Sequence, residues 1–290
     1  MQAIKFLPTP STDMGLCKQQ LSHGSRSFYF ASHLLPKVMQ HAACGLYAFC
    51  READDMVDEG ENPQNALDIL HHRLDRIYEG KPLYKATDRV LTQIVQTYNM
   101  PRELLNALLE GFAWDAEGKI YHSIDDVYDY SARVAGTVGV MMSVLMGVRD
   151  PKILARAADL GTAMQLTNIA RDVGEDARLG RIYLPLDELR AEGVDPAQML
   201  ADPTFNSGIG RVVRRLLERA DWLYQRSDHG IAQLPRKYQP GIRAARKLYA
   251  AIGEKVNALD CNSVDQRAIV GTSRKFALLT SAVALAQPRS

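Results

Sequence analysis

The sequence predicts an all-α protein. Helical periodicity runs through nearly the whole chain, no run of alternating β-branched residues marks a strand, and proline and glycine act as punctuation between periodic segments. With 290 residues, 46% of them hydrophobic, the chain has ample material for a buried core. No linker, repeat or low-complexity tract divides it, so one domain over 1–290 is expected, with 1–12 as a flexible N-terminus.

In chain order, the first helix is expected over 13–34, ended by Pro36, and the next three over 38–58, 63–79 and 87–98. A helix over 101–117 has Pro101 suited to its first turn. The helix over 124–147 opens on Ser123 and Asp126, three residues apart, the spacing of a capping box. Inside it, Gly136 and Gly139 each cost up to about 1 kcal/mol against alanine, which tight helix packing or room for a ligand would explain. Helices over 152–177, 208–234, 240–258 and 264–284 complete the set. The longest irregular stretch, from Gly180 to Phe205, holds Pro185, Pro196 and Pro203 and directly follows an acidic stripe, the place of a flap over a site.

Charge excludes some partners. Lys plus Arg (35) nearly cancels Asp plus Glu (34), so no bulk field recruits nucleic acid, and any electropositive region is local. Cys17, Cys44, Cys50 and Cys261 are scattered without CxxC spacing and read as buried thiols in a reducing compartment, not as a zinc site. The N-terminus lacks a signal-peptide run, and the longest apolar run, 138–148, is too short to span a bilayer. A cytoplasmic protein, soluble or peripherally attached, is expected.

The most informative stretch is LGTAMQLTNIARDVGEDARLGRIYLP, from Leu160 to Pro185. On a helix, Asn168, Asp172 and Asp176 fall at i, i+4 and i+8, with Gln165 one turn earlier, so one polar stripe crosses an otherwise apolar element. Neighbours at this spacing can share a hard cation such as Mg²⁺, and Arg171, Arg178 and Arg181, interleaved with the acids, suit phosphate. The helix over 38–58 repeats the logic in LYAFCREADDMVDEG, with Asp54 and Asp58 four apart and Arg51 one turn before Asp54. Two antiparallel helices facing each other with these acids would hold several Mg²⁺ ions against one diphosphate. The same DDxxD string at Asp125, Asp126 and Asp129 lies in the first turns of a helix, where capping and the macrodipole explain it. Upstream, Ser25, Arg26 and Ser27 form a short polar cluster that suits phosphate or an ordinary helix surface. Tyr130 sits one turn before Val134, ahead of the small residues Ala135, Gly136 and Gly139.

These residues resemble a family. The segments Tyr130 to Leu145 and Leu160 to Pro185 look like the two signature segments of the squalene/phytoene synthases, the second matching at Leu160-Gly161, Gln165, Asn168, Arg171-Asp172, Asp176, Arg181, Tyr183 and Pro185. The resemblance runs from about Ser25 to Lys275 and, through LYAFCREADD and EGFAWDAEG, is strongest to the bacterial phytoene synthases. It implies an isoprenoid synthase fold with a central cavity between antiparallel helices, and head-to-head joining of two prenyl diphosphates. It implies Mg²⁺, with Mn²⁺ as an alternative, on Asp54, Asp58, Asn168, Asp172 and Asp176. Diphosphate falls to Ser25, Arg26, Ser27, Tyr47, Arg51, Gln165, Arg171, Tyr249, Arg267 and Lys275, the last three on a looser alignment, and Tyr130 to a place near the reacting carbons.

The implied reaction ionises twice, through a cyclopropylcarbinyl diphosphate to the triene of phytoene, with Tyr130 or released diphosphate taking the proton. The rival readings are the same chemistry on farnesyl diphosphate, giving dehydrosqualene, squalene or presqualene diphosphate, an elongating prenyltransferase, and a non-catalytic assembly factor. Small side chains at Ala31, Ser32, Ala42, Ala43, Cys44 and Gly45 favour room for C20 tails. RDVGED is not the second DDxxD of an elongating enzyme, and none of the acids is eroded. No NADPH is expected. A C40 hydrocarbon product implies peripheral contact with the inner face of the membrane and with other carotenoid-pathway enzymes.

Overall fold

The computed structural model describes residues 11–58, 60 and 62–284, and among them the chain is helical with no strand. The helices are α1 (Ser11–Gly24), α2 (Arg26–Ser32), α3 (Lys37–Asp58), α4 (Pro63–Tyr78), α5 (Ala86–Tyr98), α6 (Arg102–Ala116), α7 (Ile124–Ser131), α8 (Thr137–Leu145), α9 (Pro151–Arg178), α10 (Leu186–Ala191), α11 (Pro196–Ala201), α12 (Ser207–Gln233), α13 (Gln239–Asn257) and α14 (Thr272–Ala284). Of the N-terminus expected to be flexible, residues 1–10 lie outside the described residues, while Ser11 and Thr12 already belong to α1.

Four expected elements are divided or filled in. The helix expected over 13–34 breaks at Ser25, whose extended backbone (φ −147°, ψ 100°) caps α2 by accepting from the Phe28 N–H at 3.3 Å. The one expected over 124–147 begins on the capping box of Ser123 and Asp126, then widens into a π-helical turn at Ala132–Gly136 before α8. The last helix starts only at Thr272, leaving 264–271 irregular. The proline-rich stretch after α9 is not an open flap. It holds α10 and α11, and Arg215 of α12 clamps Glu188 and Glu192 at 2.7 and 2.6 Å while the Leu186 N–H donates to the Tyr121 carbonyl at 3.0 Å.

Two apolar cores result. One gathers α1, α3 to α6 and α8 around Phe49, Leu70, Leu91 and Leu105, and the other gathers α9, α12 and α13 around Leu166, Val213, Leu216 and Leu248. Phe28, Val134 and Ile242 touch both. Helices α8 and α9 run antiparallel in backbone contact: a Cβ on Gly139 would stand 2.2 Å from the Ala157 carbonyl oxygen, and one on Gly161 would stand 2.1 Å from that of Ala135. The mid-helix glycines serve tight packing, and Gly139 lines a cavity as well. Among the described residues no helix is long and apolar enough to cross a membrane.

Candidate active site

Between the two cores lies a cavity of about 370 Å³ with a mostly apolar wall. Its mouth is polar, with Tyr47, Arg51 and Asp54 of α3 on one side, Gln165 and Asn168 of α9 on the other, and Tyr130 and Tyr249 between. The two stripes read from the sequence therefore share one pocket. Asp58 continues the α3 stripe beyond the lining, and Arg181, just past the end of α9, pairs with it at 3.0 Å, so the ends of both stripes meet.

The expected cavity between antiparallel helices is present in the α8, α9 and α12 wall, where Gly139 faces Ala157, Arg156 faces Gly230 and Thr167 faces Tyr224. The two acid-bearing helices, however, are not antiparallel to each other. On both α3 and α9 residue number rises from the apolar cavity toward the acids, because Asp58 ends α3 and Arg181 follows α9. Both helices thus point the negative ends of their dipoles at the mouth, where the carboxylates already concentrate negative charge.

That arrangement crowds carboxylates together in a partly buried mouth. Burial first, then Asp58, pushes the Asp54 carboxyl up to about 7. Burial, then Asp172 and Glu175, pushes Asp176 up to about 7 as well. Guanidinium groups occupy the other oxygens: Arg51 reaches Asp54 at 3.3 Å and Asp55 at 2.6 Å, Arg171 grips Asp172, and Arg267 reaches Asp172 at 3.1 Å and Glu175 at 3.0 Å. Among the described residues no three Asp, Glu, His or Cys side chains converge on one point as a ready-made metal site. The donor set itself is all hard oxygen, carboxylates of Asp54, Asp58, Asp172 and Asp176 with the amide of Asn168, which fits Mg²⁺ or Mn²⁺ and not a thiophilic ion.

Of the groups expected to meet diphosphate, Tyr47, Arg51, Gln165 and Tyr249 line the cavity. Ser25 shares a hydrogen bond with Tyr249, whose ring packs 5.0 Å from that of Phe28, and the hydroxyl of Tyr47 lies against Gly24, where a Cβ would come within 2.3 Å. Burial and then the charge of Arg26 hold the Lys275 ammonium below its usual range, and Ser27 follows Arg26 on α2. The amide nitrogen of Asn168 donates to Gln165 at 3.4 Å. Of the three looser assignments, Tyr249 lines the cavity and Arg267 pairs with Asp172, while Lys275 is not among the lining residues. Of the small residues expected to line a tail site, Ala31, Ser32 and Ala43 do so. Gly45 instead packs outward, where a Cβ would stand 2.3 Å from Val90.

One residue of the mouth lies within EGFAWDAEG but is marked by no spacing of acids. Asp115 of α6 accepts from the Tyr130 hydroxyl at 2.8 Å and from the Tyr183 hydroxyl at 2.7 Å, one on each carboxylate oxygen. Tyr130, Tyr183 and Tyr121 form a ring cluster, with centroids 5.2 Å apart for Tyr130 and Tyr183. Burial lifts Asp115 to about 6 against the pull of both tyrosines and Arg181. The same burial, with the adjacent carboxylate, raises the Tyr130 phenol well above its usual value. Asp115 has no acidic partner at i±4, so only the fold reveals it.

A pocket with a charged mouth, hard-oxygen acids and an apolar interior suits a substrate with an anionic head and an apolar tail, and similarity to known proteins specifies the class. The profile of the squalene/phytoene synthase family matches residues 21–274. This chain belongs to that family. It is 52% identical over 272 residues to the phytoene synthase of Rhodobacter capsulatus, covering 93% of this chain and 80% of that one. It is 34% identical to the 15-cis-phytoene synthase of Pantoea ananas, covering 91% and 89%. Among solved structures, a ligand-bound dehydrosqualene synthase superposes with a TM-score of 0.87 at 31% identity, over 94% of this chain and 96% of that one. The squalene synthase of Alicyclobacillus acidocaldarius superposes with a TM-score of 0.79 at 25% identity, over 87% and 95%.

Proposed function

We infer that this chain joins two geranylgeranyl diphosphates head to head (1'-1), through prephytoene diphosphate, to phytoene, the first committed step of carotenoid biosynthesis. The observation that carries the reading is the joining of a diphosphate-suited mouth to an apolar cavity, in a chain 52% identical to a phytoene synthase.

In this reading Arg51, Arg171 and Arg267, with Arg26 and Lys275, hold the diphosphates, helped by Ser25, Ser27, Tyr47, Gln165 and Tyr249. Asp54, Asp58, Asn168, Asp172 and Asp176 would hold Mg²⁺ or Mn²⁺, which when bound neutralises charge building on the departing diphosphate. The carbon–oxygen bond of one substrate breaks, and the double bond of the second attacks the allylic cation. Proton loss then closes the cyclopropane. The second carbon–oxygen bond breaks, the skeleton rearranges, and a further proton loss gives the central triene, so no NADPH is consumed. The apolar wall keeps water from the cations, and the proton goes either to released diphosphate or to Tyr130, which passes its own proton to Asp115. An insoluble C40 product supports peripheral contact with the inner face of the membrane and hand-over to other carotenoid-pathway enzymes.

The test is product analysis by mass after separate incubation with C15 and C20 diphosphates, with Mg²⁺ and without NADPH. Phytoene from the C20 substrate is expected, together with its loss on chelation or in Asp172→Ala. Efficient C30 product with little from C20 would move the substrate assignment to farnesyl diphosphate, and full turnover in chelator would overturn the metal assignment. Liposome flotation checks the membrane contact, which protein remaining wholly in the soluble fraction would refute.

A further inference from the structure

The far end of the cavity is closed differently from its mouth. From Asn168 back along α9 the wall is Met164, Gly161, Leu160 and Ala157, and it stops at Arg156 and Ile153. Among the described residues that line the cavity, Arg156 is the only charged one away from the mouth. Its Nε lies 3.0 Å from Asp159 Oδ2, and the Nε of Arg226, on α12, lies 3.2 Å from the same oxygen. Arg226 in turn covers the exposed ring of Trp222 at 4.3 Å. The sequence of groups from cavity to surface is therefore Arg156, Asp159, Arg226, Trp222. Across the cavity end, Gly230 of α12 presents bare backbone, where a Cβ would stand 2.3 Å from the Cβ of Arg156, so the arginine stem is wedged between the two helices.

The distance from mouth to stop matches one chain length. Twelve residues separate Asn168 from Arg156, about 18 Å at the helical rise. A geranylgeranyl chain has sixteen main-chain carbons, and its fifteen bonds span about 18 Å at the reach per bond of an extended polypeptide. A farnesyl chain ends about one helical turn short, beside Leu160. A C25 chain is longer by a similar amount and has to drive apolar carbon into an ion pair.

We propose that Arg156, fixed by Asp159 and Arg226 against Gly230, is the end stop that sets the tail length this cavity accepts. The inference rests on the proposed reaction on prenyl diphosphates. It makes Arg156 a specificity-determining residue, remote from the carbons that react.

The experiment compares kcat/KM for C15, C20 and C25 diphosphates in the wild type, Arg156→Ala and Asp159→Asn, with thermal melts to establish folding. Arg156→Ala is expected to raise the C25-to-C20 ratio at least tenfold. Asp159→Asn, which keeps the arginine but loosens its anchor, is expected to raise it by a smaller factor. A general structural defect would lower turnover on all three substrates and leave the ratios alone. Ratios within twofold of wild type in the folded variants overturn the end stop, and Asp159→Asn decides if Arg156→Ala does not fold. A wild type that forms no product from any of the three overturns the functional reading itself and the end stop with it, whereas wild-type C20 turnover with unmoved ratios overturns the end stop alone.

Discussion

One carboxylate orders the phenols of the mouth. Asp115 gives one oxygen to each of Tyr130 and Tyr183, and an asparagine of the same shape has only one oxygen to give, so one phenol would face an NH₂ donor instead. A positioned proton acceptor contributes about 10²- to 10⁴-fold to a rate. Asp115→Asn is therefore expected to lower kcat by about tenfold to a hundredfold with little change in KM, because the diphosphate ligands stay where they are. Tyr130→Phe, which keeps the ring and removes the hydroxyl, is expected to fall as far, and the double variant no further than either single one. Steady-state kinetics on the three variants checks this, and kcat within twofold of wild type in Tyr130→Phe would assign the proton to released diphosphate.

Helix α9 carries half of the mouth, and the segment after α13 is pressed onto it. A Cβ on Gly174 would stand 2.0 Å from the Val264 carbonyl oxygen, the Gly174 N–H reaches the Ser263 carbonyl at 3.0 Å, and Arg178 donates to Val264 at 3.2 Å. The same segment brings Arg267 to Asp172 and Glu175. Gly174→Ala is expected to push the segment away, costing about 1–3 kcal/mol of stability and raising KM for the diphosphate. Adding Arg267→Ala should do little more to KM, a non-additivity that a double-mutant cycle reads directly. At the other end of the chain, Asp13 of α1 takes a two-pronged grip from Arg89 of α5, both contacts at 2.7 Å. The hydrogen bond to Arg89 outweighs burial and holds the Asp13 carboxyl below its ordinary value of 3.8. A carboxyl lowered in the folded state adds stability above its unfolded value and loses it as pH falls through the folded one. Asp13→Asn should thus cost about 1–3 kcal/mol at neutral pH, by a margin in urea melts that stays level down to the ordinary aspartate range and narrows only below it. Elements such as α3, α9 and α12 were legible because a strong 3.6-residue period needs no partner to be seen. The break at Ser25, the π-turn at Ala132–Gly136 and the docked helices α10 and α11 were not, because each is imposed by something remote: Tyr47 against Gly24, α9 against α8, and Arg215 on Glu188. The site divides in the same way. Acids at i and i+4 announce themselves, whereas the role of Asp115 comes only from Tyr130 and Tyr183, remote in sequence and adjacent in space.

The molecule as a whole is two cores joined around a shared hollow, and the polar groups of the mouth stand on both. Arg51 and Asp54 stand on α3 in the first core, while Gln165, Asn168 and Asp172 stand on α9 in the second. The first core has a charged centre: Arg73, 1% exposed, meets Asp88, 0% exposed, at 2.6 Å and Glu52 at 3.0 Å, with Thr87 accepting at 3.2 Å, and so bolts α3, α4 and α5 together. Removing one partner of such a buried set strands the others, so Arg73→Met is expected to cost about 3–5 kcal/mol. Phe28, Val134 and Ile242 belong to both cores, which should make unfolding a single transition even when only one core is weakened. A non-ionising prenyl diphosphate analogue with Mg²⁺, supplied at 100 times its Kd, stabilises a folded protein by about 2.7 kcal/mol through mass action. If the cavity joins the cores into one cooperative unit, that increment appears in full in both the wild type and Arg73→Met, as one shifted transition in scanning calorimetry. Two transitions in Arg73→Met, with the analogue moving only the later one, would mean that the halves melt separately and that binding at α9 does not reach α3.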